Sequence, residues 1–249
     1  MHPMKDCIAI DVGNTRGKAV LFHGSEIIQR WEFDPGMPLA NAELTQEIPE
    51  GLPIILSGVR PVGEEFLEFL RSRGPLLVLS GSTPLPFSSD YLTPETIGPD
   101  RLALVAGAIA LLPGEDILVI DAGTCITCDL VTSGKLFLGG SISPGLDMRL
   151  RALKEFTGAL PLVSKEEGNW FPGRSTRESI LAGVHEGACG ELRDRIEQLM
   201  PIYPTLKVVL TGGDAPYFVK NLKNSNFASP DLVVQGLRTI LEHHVKTNH

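Results

Sequence analysis

Short runs of apolar residues, broken by turn-forming residues, dominate the first part of the chain. Alternation of apolar and polar positions, and short continuous apolar runs, are typical of half-buried and fully buried strands. They predict strands at 6–12, 18–22, 26–33, 54–57 and 76–79. A hairpin turn is expected at His23-Gly24-Ser25, and the spacing of Phe66, Leu67, Phe69 and Leu70 predicts an amphipathic helix.

The second part of the chain repeats this order after a strongly apolar helix at 100–112, which Pro113-Gly114 ends. Between the two parts, residues 81–99 are rich in Ser, Thr and Pro and predict an irregular loop. The predicted strands of the second part lie near 116–121, 126–132, 135–141, 207–210 and 232–234. Its predicted helices lie at about 146–156 and 176–200, just after 214, and at about 235–246.

The pattern in each part therefore predicts three antiparallel strands followed by alternating helices and strands. Two copies of that order predict an α/β protein with duplicated ribonuclease H-like halves, as in the actin-like ATPases, with mixed sheets flanked by helices. We expect an N-terminal half at 1–113 and a C-terminal half at 114–249. A ligand is expected in the cleft between them, because domain interfaces often hold binding sites.

Two turns carry nearly the same chemistry at the same place in each half. Asp11-Val12-Gly13-Asn14-Thr15 and Asp121-Ala122-Gly123-Thr124 both end an apolar strand with a carboxylate, a glycine and a hydroxyl. The carboxylate suits Mg²⁺ or its water, and the glycine lets backbone amides approach phosphate oxygens. The pair predicts a nucleotide site. Lys18 either reaches a phosphate or is a solvated strand residue, and Asp129 is expected only to pair with a neighbour.

The segment Gly98-Pro99-Asp100-Arg101 starts the apolar helix. Asp100 is a good N-cap residue, so an ordinary helix start is one interpretation. Arg101 has the wrong charge for the first turn of a helix, which favours a role in ligand binding instead. On that second interpretation Asp100 accepts a proton from a substrate hydroxyl, and Arg101 binds an anionic group.

Three further segments are candidates for ligand contact, each with a plain structural alternative. The loop at 139–145 contains four glycine or proline residues and is either close to the ligand or simply a turn. The turn Thr211-Gly212-Gly213-Asp214 opens a helix, where adenosine contacts are plausible. Ser175-Thr176 begins a long helix, and a simple N-cap explains it equally well.

Composition excludes several classes of function. The net charge of −8 and the pI of about 5.3 argue against a nucleic-acid-binding protein. No apolar run is long enough to span a membrane and the N-terminus lacks a signal-peptide core, so a cytoplasmic protein is expected. Cys125 and Cys128 have C-x-x-C spacing without a second ligand pair, and we interpret them as small buried strand residues.

Taken together, the ordered motifs resemble the type III pantothenate kinase family. The resemblance runs through the whole chain and is carried by the following segments: Asp11-x-Gly-Asn-Thr15, Tyr91, Gly98-x-Asp100-Arg101, Asp121-x-Gly-Thr124, Gly139-Gly140-x-Ile142-x-Pro144-Gly145, Ser175-Thr176 and Thr211-Gly212-Gly213-Asp214-Ala215. It implies a kinase that uses ATP and Mg²⁺ to phosphorylate the primary hydroxyl of pantothenate, the first step of coenzyme A biosynthesis. It also implies a homodimer whose sites involve both chains.

The resemblance assigns roles to individual residues. It makes Asp100 the catalytic base and Asp121 the ligand of a monovalent cation, K⁺ or NH₄⁺, while Asp11 is expected to hold Mg²⁺ directly or through a water. It places ATP on Asp11, Val12, Gly13, Asn14, Thr15, Arg16, Gly17, Lys18 and Thr124. It places the substrate on Tyr91, Gly98, Pro99, Asp100, Arg101 and Thr176. Cys125 replaces the family's usual Ala, a small change, and Pro99 stiffens the loop before Asp100.

Two other functions stay open on the sequence. One is another small-molecule kinase of the same fold, acting on a sugar or on acetate, which the identity of the phosphoryl acceptor distinguishes. The other is a non-catalytic regulator or an actin-like assembly protein, which lacks turnover. The acidic charge and the complete set of aspartates weigh against a DNA-binding regulator.

Overall fold

Strand β1 (Asp6–Val12) is the central strand of the first sheet in a computed structural model that describes residues 5–222 and 227–247. It pairs antiparallel with β2 (Gly17–His23), which pairs with β3 (Glu26–Phe33), and parallel with β4 (Ile54–Gly58), which pairs with β5 (Leu76–Val78). The order is β3-β2-β1-β4-β5. The strands predicted in this part of the chain are confirmed.

The chain divides into two compact units. The first consists of the described residues of 1–113, 134–137 and 231–249, and the second of 114–133 and those of 138–230. The segments 134–137 and 231–249, which the sequence analysis assigned to the C-terminal half, thus belong to the first unit, and the boundary between halves at 113/114 stays a prediction. The first four residues, on which the expectation about a signal peptide was based, lie outside the described residues.

Most helices of the described residues lie where the sequence predicts them. The helices are α1 (Ala42–Glu47), α2 (Glu64–Arg73), α3 (Pro99–Leu111), α4 (Leu146–Glu155), α5 (Thr176–Leu199), α6 (Ala215–Asn221) and α7 (Leu232–Thr247). Helix α1 was not predicted; Asn41 caps it by accepting a hydrogen bond from the Leu44 amide. In the part of the chain that the structure describes, no helix combines the length and hydropathy that a bilayer span requires.

Each face of the first sheet is covered by its own helices. One face packs its apolar side chains, including Ile10 and Leu56, against Phe66 and Leu70 of α2 and against α1. The opposite face packs against α3 and α7. Because side chains alternate along a strand, Asp11 and Lys18 lie on the face that α3 and α7 cover.

The prediction of a strand at 232–234 is wrong. Leu232, Val233 and Val234 form the first turn of α7, and the edge strand is instead β11 (Phe227–Ala228). The β-branched residues suggested a strand, but α7 is fixed by its packing against α3. Tertiary packing of this kind often outweighs local propensity.

The second unit repeats the strand order of the first. Its strands are β7 (Ile117–Ala122), β8 (Cys125–Val131), β9 (Leu136–Pro144), β10 (Lys207–Thr211) and β11, arranged β9-β8-β7-β10-β11. As in the first unit, the first two strands are antiparallel and the central strand pairs parallel with β10. Helices α4, α5 and α6 contribute to its apolar core. The duplicated α/β plan predicted from the sequence is therefore present.

Two smaller predictions concern a loop and the cysteines. The stretch at 81–99 is largely irregular, but β6 (Ser88–Ser89) pairs with the first two residues of β9. Cys125 and Cys128 both lie in β8, as expected from the apolar run around them; Cys128 is buried, but Cys125 is only partly buried, contrary to the prediction. Residues three apart on a strand point to opposite faces, so these thiols do not converge. Burial raises the pKa of the Cys128 thiol to about 11.

Candidate active site

The first Asp-x-Gly turn is a tight connection between β1 and β2. The Gly13 amide donates a hydrogen bond to the Arg16 carbonyl over 3.0 Å, which closes the turn. A Cβ at Gly13 would lie 2.9 Å from that carbonyl oxygen, so the turn requires glycine there. Asn14, Thr15 and Arg16 are exposed at its tip. Their polar groups are therefore accessible to a ligand.

Asp11 is held at the carboxyl end of β1 by a neighbouring strand. Its Oδ1 accepts a 2.8 Å hydrogen bond from Ser57 Oγ of β4. Burial raises the pKa of Asp11 to about 6; the Ser57 hydrogen bond and the charge of Lys18 oppose this rise, and the charge of Asp100 adds to it. The charge of Asp100 thus acts on Asp11 within the first unit, although the two were predicted from separate motifs.

Asp100 lies in the first turn of α3, but it does not cap the helix. Gly98 is the N-cap residue and Pro99 is the first helical residue, so Asp100 is free of the capping role that its position in the sequence suggested. Its Oδ1 accepts a 2.9 Å hydrogen bond from the Arg101 amide. A Cβ at residue 98 would lie 2.4 Å from that oxygen, so glycine leaves room for the carboxylate. Burial raises the pKa of Asp100, although the Arg101 amide and charge oppose it.

Arg101 is almost completely buried, with 4% of its surface exposed. Its guanidinium carbon lies 5.5 Å from the ring centroid of Tyr91 and 5.8 Å from that of Phe137. The two rings are themselves nearly parallel, with centroids 6.0 Å apart. Cation–π contacts of this kind hold a guanidinium in one orientation. The sequence indicated Tyr91 and Arg101 but not Phe137, which belongs to no motif.

Lys18 is partly exposed and forms an ion pair. Its Nζ donates to Asp231 Oδ1 over 2.5 Å, and Arg30 binds both oxygens of the same carboxylate, at 2.6 and 2.8 Å. These two cations lower the pKa of Asp231 to about 2. Asp231 and Arg30 escaped the sequence analysis because their partners are remote in the chain. A contact of Lys18 with ATP stays a prediction.

The Gly-Gly segment that follows β10 packs against the second Asp-x-Gly turn. The Asp214 amide donates to the Ala122 carbonyl over 2.8 Å. Gly212 has φ +91°, and a Cβ there would lie 2.4 Å from Asp121 Oδ1. Only glycine fits a position that is both left-handed and this crowded. The segment considered for adenosine binding therefore packs directly on the predicted cation ligand.

Oxygen atoms suited to a hard cation occur beside Asp121. Thr127 lies opposite Asp121 in the antiparallel pair of β7 and β8, so both side chains project from the same face. Among the described residues, the buried Thr127 Oγ1 has no hydrogen-bond partner. An orphaned buried hydroxyl next to a carboxylate fits an oxygen-coordinated cation such as K⁺. The described residues contain no cluster of three or more His, Cys, Asp or Glu that could hold a metal ion.

The remaining predicted residues lie on the second unit. Thr124 is exposed in the second turn. Ser175 caps α5 by accepting a hydrogen bond from the Glu178 amide, which confirms the N-cap interpretation, and Thr176 is exposed as the next residue. The prediction of a loop at 139–145 is wrong, because β9 continues to Pro144. In this part of β9 Ser143 donates to Glu191, and Arg149 pairs with the same carboxylate.

Comparison with known proteins gives a consistent family assignment. The sequence model of the family described as type III pantothenate kinase matches residues 7–198. The chain is 39% identical to the type III pantothenate kinase of Christiangramia forsetii, covering 94% of this chain and 97% of the relative. It is 42% identical to the type III pantothenate kinase of Bacteroides fragilis strain ATCC 25285, covering 95% of this chain and 97% of that one.

Solved structures support the fold at lower identity. A Baf family protein from Campylobacter jejuni superposes with a TM-score of 0.63 at 20% identity, covering 96% of this chain and 99% of the other. A ROK family protein from Streptococcus pneumoniae gives a TM-score of 0.53 at 12% identity, covering 97% and 99%. At such identities the likeness concerns the fold alone, and it confirms the predicted actin-like class.

Proposed function

The chain belongs to the type III pantothenate kinase family, and from this premise we propose that it transfers the γ-phosphoryl group of ATP to the primary hydroxyl of pantothenate. The product enters coenzyme A biosynthesis, of which this transfer is the first step. The match with the family model and the full-length relatives support this proposal. The alternatives, a sugar or acetate kinase and a non-catalytic regulator, have no comparable support at this level of identity.

The observation that carries the mechanism is that Asp11 lies on the sheet face that α3 covers, while Asp100 lies in the first turn of α3 and its charge acts on Asp11. We assign Asp100 as the general base that orients the acceptor hydroxyl and takes its proton. Burial raises the pKa of Asp100, which brings its basicity closer to the working pH. Its Oδ1 is occupied by the Arg101 amide, which leaves Oδ2 for the hydroxyl. A loose phosphoryl transfer demands positioning more than early deprotonation.

The first turn is proposed to bind the phosphates of ATP. The carboxylate of Asp11 suits Mg²⁺, either directly or through a water, because hard cations prefer oxygen ligands. Mg²⁺, when bound, neutralises charge on the phosphoryl oxygens. The exposed tip at Asn14, Thr15 and Arg16 offers hydrogen-bond donors to those oxygens, together with the adjoining backbone from Val12 to Gly17 and with Lys18. Thr124 of the second turn is a further proposed ATP contact.

Asp121 is proposed as the ligand of a monovalent cation, K⁺ or NH₄⁺. The support is its carboxylate and the orphaned hydroxyl of Thr127 on the same face of the sheet. A bound cation adds positive charge in a site for an anionic nucleotide. Omitting K⁺ and NH₄⁺ from the assay, with Na⁺ as the replacement, tests this assignment.

The acceptor is proposed to contact the segment from Gly98 to Arg101, with Tyr91 and Thr176. Arg101 supplies a fixed positive group for the carboxylate of pantothenate, and its contact with the Tyr91 ring supports that orientation. We further propose a homodimer. Exposed apolar side chains, including Ile142 at 62% and Phe156 at 85% exposure, are consistent with burial against a second copy. Sedimentation equilibrium tests the stoichiometry.

The decisive experiment is phosphoryl transfer from labelled ATP to pantothenate, with a hexose and acetate as competing acceptors. We expect labelled phosphopantothenate and no transfer to the other two. Transfer to a hexose or acetate but not to pantothenate would identify a different kinase. Absence of any turnover, with intact folding and ATP present, would favour a regulator.

Replacement of Asp100 tests the proposed base within the same assay. Asp100→Asn is expected to lower kcat by roughly 10²–10⁴-fold, the usual scale for the loss of a general base, while circular dichroism stays unchanged. Asp90→Asn, at an exposed carboxylate nearby in sequence, is the matched control and is expected to keep full activity. Near-normal turnover of the Asp100 variant would remove it from this role.

A further inference from the structure

Ser57 is a fully buried polar residue in the sheet of the first unit, and no motif includes it. Its exposure is 0%, and its hydroxyl donates to Asp11 Oδ1 over 2.8 Å. Strand β4 remains attached to β1 just beyond this point, because the Val59 amide donates to the Val12 carbonyl over 3.2 Å. The backbone that carries this hydroxyl is thus held against β1 by hydrogen bonds between the two strands.

The duplicated architecture repeats this arrangement. Ser57 is the parallel partner of Asp11 in the pair of β1 and β4, and Thr211 is the parallel partner of Asp121 in the pair of β7 and β10. Thr211 is also buried, with 4% exposure. In both units, therefore, the aspartate near the carboxyl end of the central strand is paired, across the parallel register, with a buried residue that carries a hydroxyl. The repetition supports a role connected with the carboxylate.

The proposed function gives that hydroxyl a specific use. A carboxylate that binds a metal ion needs one oxygen directed at the ligand, and the other is free to be held by the protein. Outer hydrogen bonds of this kind orient metal-binding side chains. Ser57 donates its hydrogen bond to Oδ1 of Asp11 and makes no hydrogen bond to Oδ2.

We propose that Ser57 is a positioning residue, which fixes the Asp11 carboxylate in the orientation that binds the Mg²⁺ of Mg-ATP. This inference rests on the proposed function. It differs from a structural role, in which Ser57 only satisfies its own hydrogen bond inside the core. A structural role predicts a loss of stability alone, whereas positioning predicts a changed requirement for Mg²⁺.

Three variants separate the two roles. Ser57→Ala removes the donor, Ser57→Cys keeps the approximate volume with a weak donor, and Ser57→Thr keeps the hydroxyl. The measurements are the Mg²⁺ concentration for half-maximal kinase rate at saturating ATP, and the rise in Tm that Mg-ATP produces. The matched control is Thr83→Val, which removes another buried hydroxyl of the same unit, one that accepts from the Ser80 amide.

We expect Ser57→Ala to raise the half-saturating Mg²⁺ concentration about 10- to 100-fold, the usual effect of losing an outer partner of a metal ligand. Ser57→Thr should restore it nearly to the native value, Ser57→Cys should be intermediate, and Thr83→Val should leave it unchanged. The rise in Tm with Mg-ATP should decrease in the same order. Should Ser57→Ala fail to fold, the comparison of Cys with Thr decides the question.

Equal half-saturating Mg²⁺ concentrations in all three Ser57 variants would overturn the inference. So would half-saturating concentrations that vary with the volume of the side chain and not with the presence of the hydroxyl. The proposed function fails in a different way. If the native protein shows the Mg-ATP shift in Tm but phosphorylates no pantothenate, the function is wrong, while the order of the variants in the Tm measurement still tests Ser57.

Discussion

Lys18 of β2 and Asp231, immediately before α7, form a direct ion pair with 2.5 Å between Nζ and Oδ1. Arg30 of β3 binds the same carboxylate in a bidentate arrangement, so one aspartate joins the second and third strands to the start of the C-terminal helix. Lys18 and Asp231 are each about a quarter exposed and Arg30 is half exposed. Solvent therefore screens part of the attraction.

Replacement of Asp231 tests this connection. Asp231→Asn is expected to lower the free energy of unfolding at pH 7 by about 1 kcal/mol. Because the pKa of Asp231 is lowered to about 2, its contribution is complete above its ordinary value of 3.8 and is lost as pH falls through 2. The difference between native and variant protein in urea denaturation should therefore shrink between pH 4 and pH 2. Glu26→Gln, at an exposed carboxylate of β3, should show no such change.

Asp11 makes the opposite contribution to stability. Its pKa is raised from 3.8 to about 6, so the group stabilises the fold most when protonated, and that stability is lost as pH rises from about 4 through 6. Asp11→Asn keeps an oxygen that accepts from Ser57 and carries no charge. In a metal-free buffer at pH 7 we expect the variant to be more stable by about 1–3 kcal/mol, with kinase activity lost. At pH 4 the gain should vanish; a variant that is no more stable at pH 7 would contradict the cost of burying this carboxylate.

Arg101 is expected to act through its planar guanidinium and not only through its charge. The cation–π contacts with Tyr91 and Phe137 suit a flat group, and Lys does not reproduce that geometry. Arg101→Lys should raise the KM for pantothenate by about tenfold, the effect of losing ~1.4 kcal/mol of binding, with the KM for ATP unchanged. Arg151→Lys, on the exposed side of α4, is the control. Equal changes in both KM values would show that Arg101 does not act on the acceptor alone.

The sequence predicts most of the fold because the strands have clear local signals. The bounds of β1 and β3 agree with their apolar runs, and the prolines and glycines mark the helix ends at α3. The first turn of α7 is different, because Val233 and Val234 favour a strand locally. What decides it is the close approach of α7 to α3, which depends on residues more than a hundred positions away.

In the candidate site, too, some residues could be predicted from the sequence and others could not. Asp11, Asp100, Arg101 and Asp121 stand in recognisable motifs, so the sequence points to them directly. No motif contains Ser57, Phe137 or Asp231, because the role of each depends on a partner on another strand or helix. A serine at the end of an apolar run looks like any strand terminus. Its importance appears only when the parallel register places it beside Asp11.

Gly236 provides the sharpest test of how α3 and α7 pack. A Cβ at this residue would lie 1.7 Å from the Ala103 carbonyl oxygen and 2.8 Å from the Gly107 amide nitrogen. Both are backbone atoms inside α3, so they cannot move aside as a flexible side chain does. Gly236→Ala should therefore force the helices apart and lower the free energy of unfolding by about 3 kcal/mol, despite the better helix propensity of alanine.

The matched control is Gly183→Ala in α5, at an exposed helical glycine where a Cβ would meet no atom within 4 Å outside its own stretch of helix. There the substitution only restricts the unfolded chain, and we expect a gain of about 0.5–1 kcal/mol. Urea denaturation of both variants, with the slope of the transition compared as well as its midpoint, gives the two values. If Gly236→Ala were as stable as Gly183→Ala, the two helices could not be as close as the structure has them. The contact with α3 would then not explain why the first turn of α7 is helical.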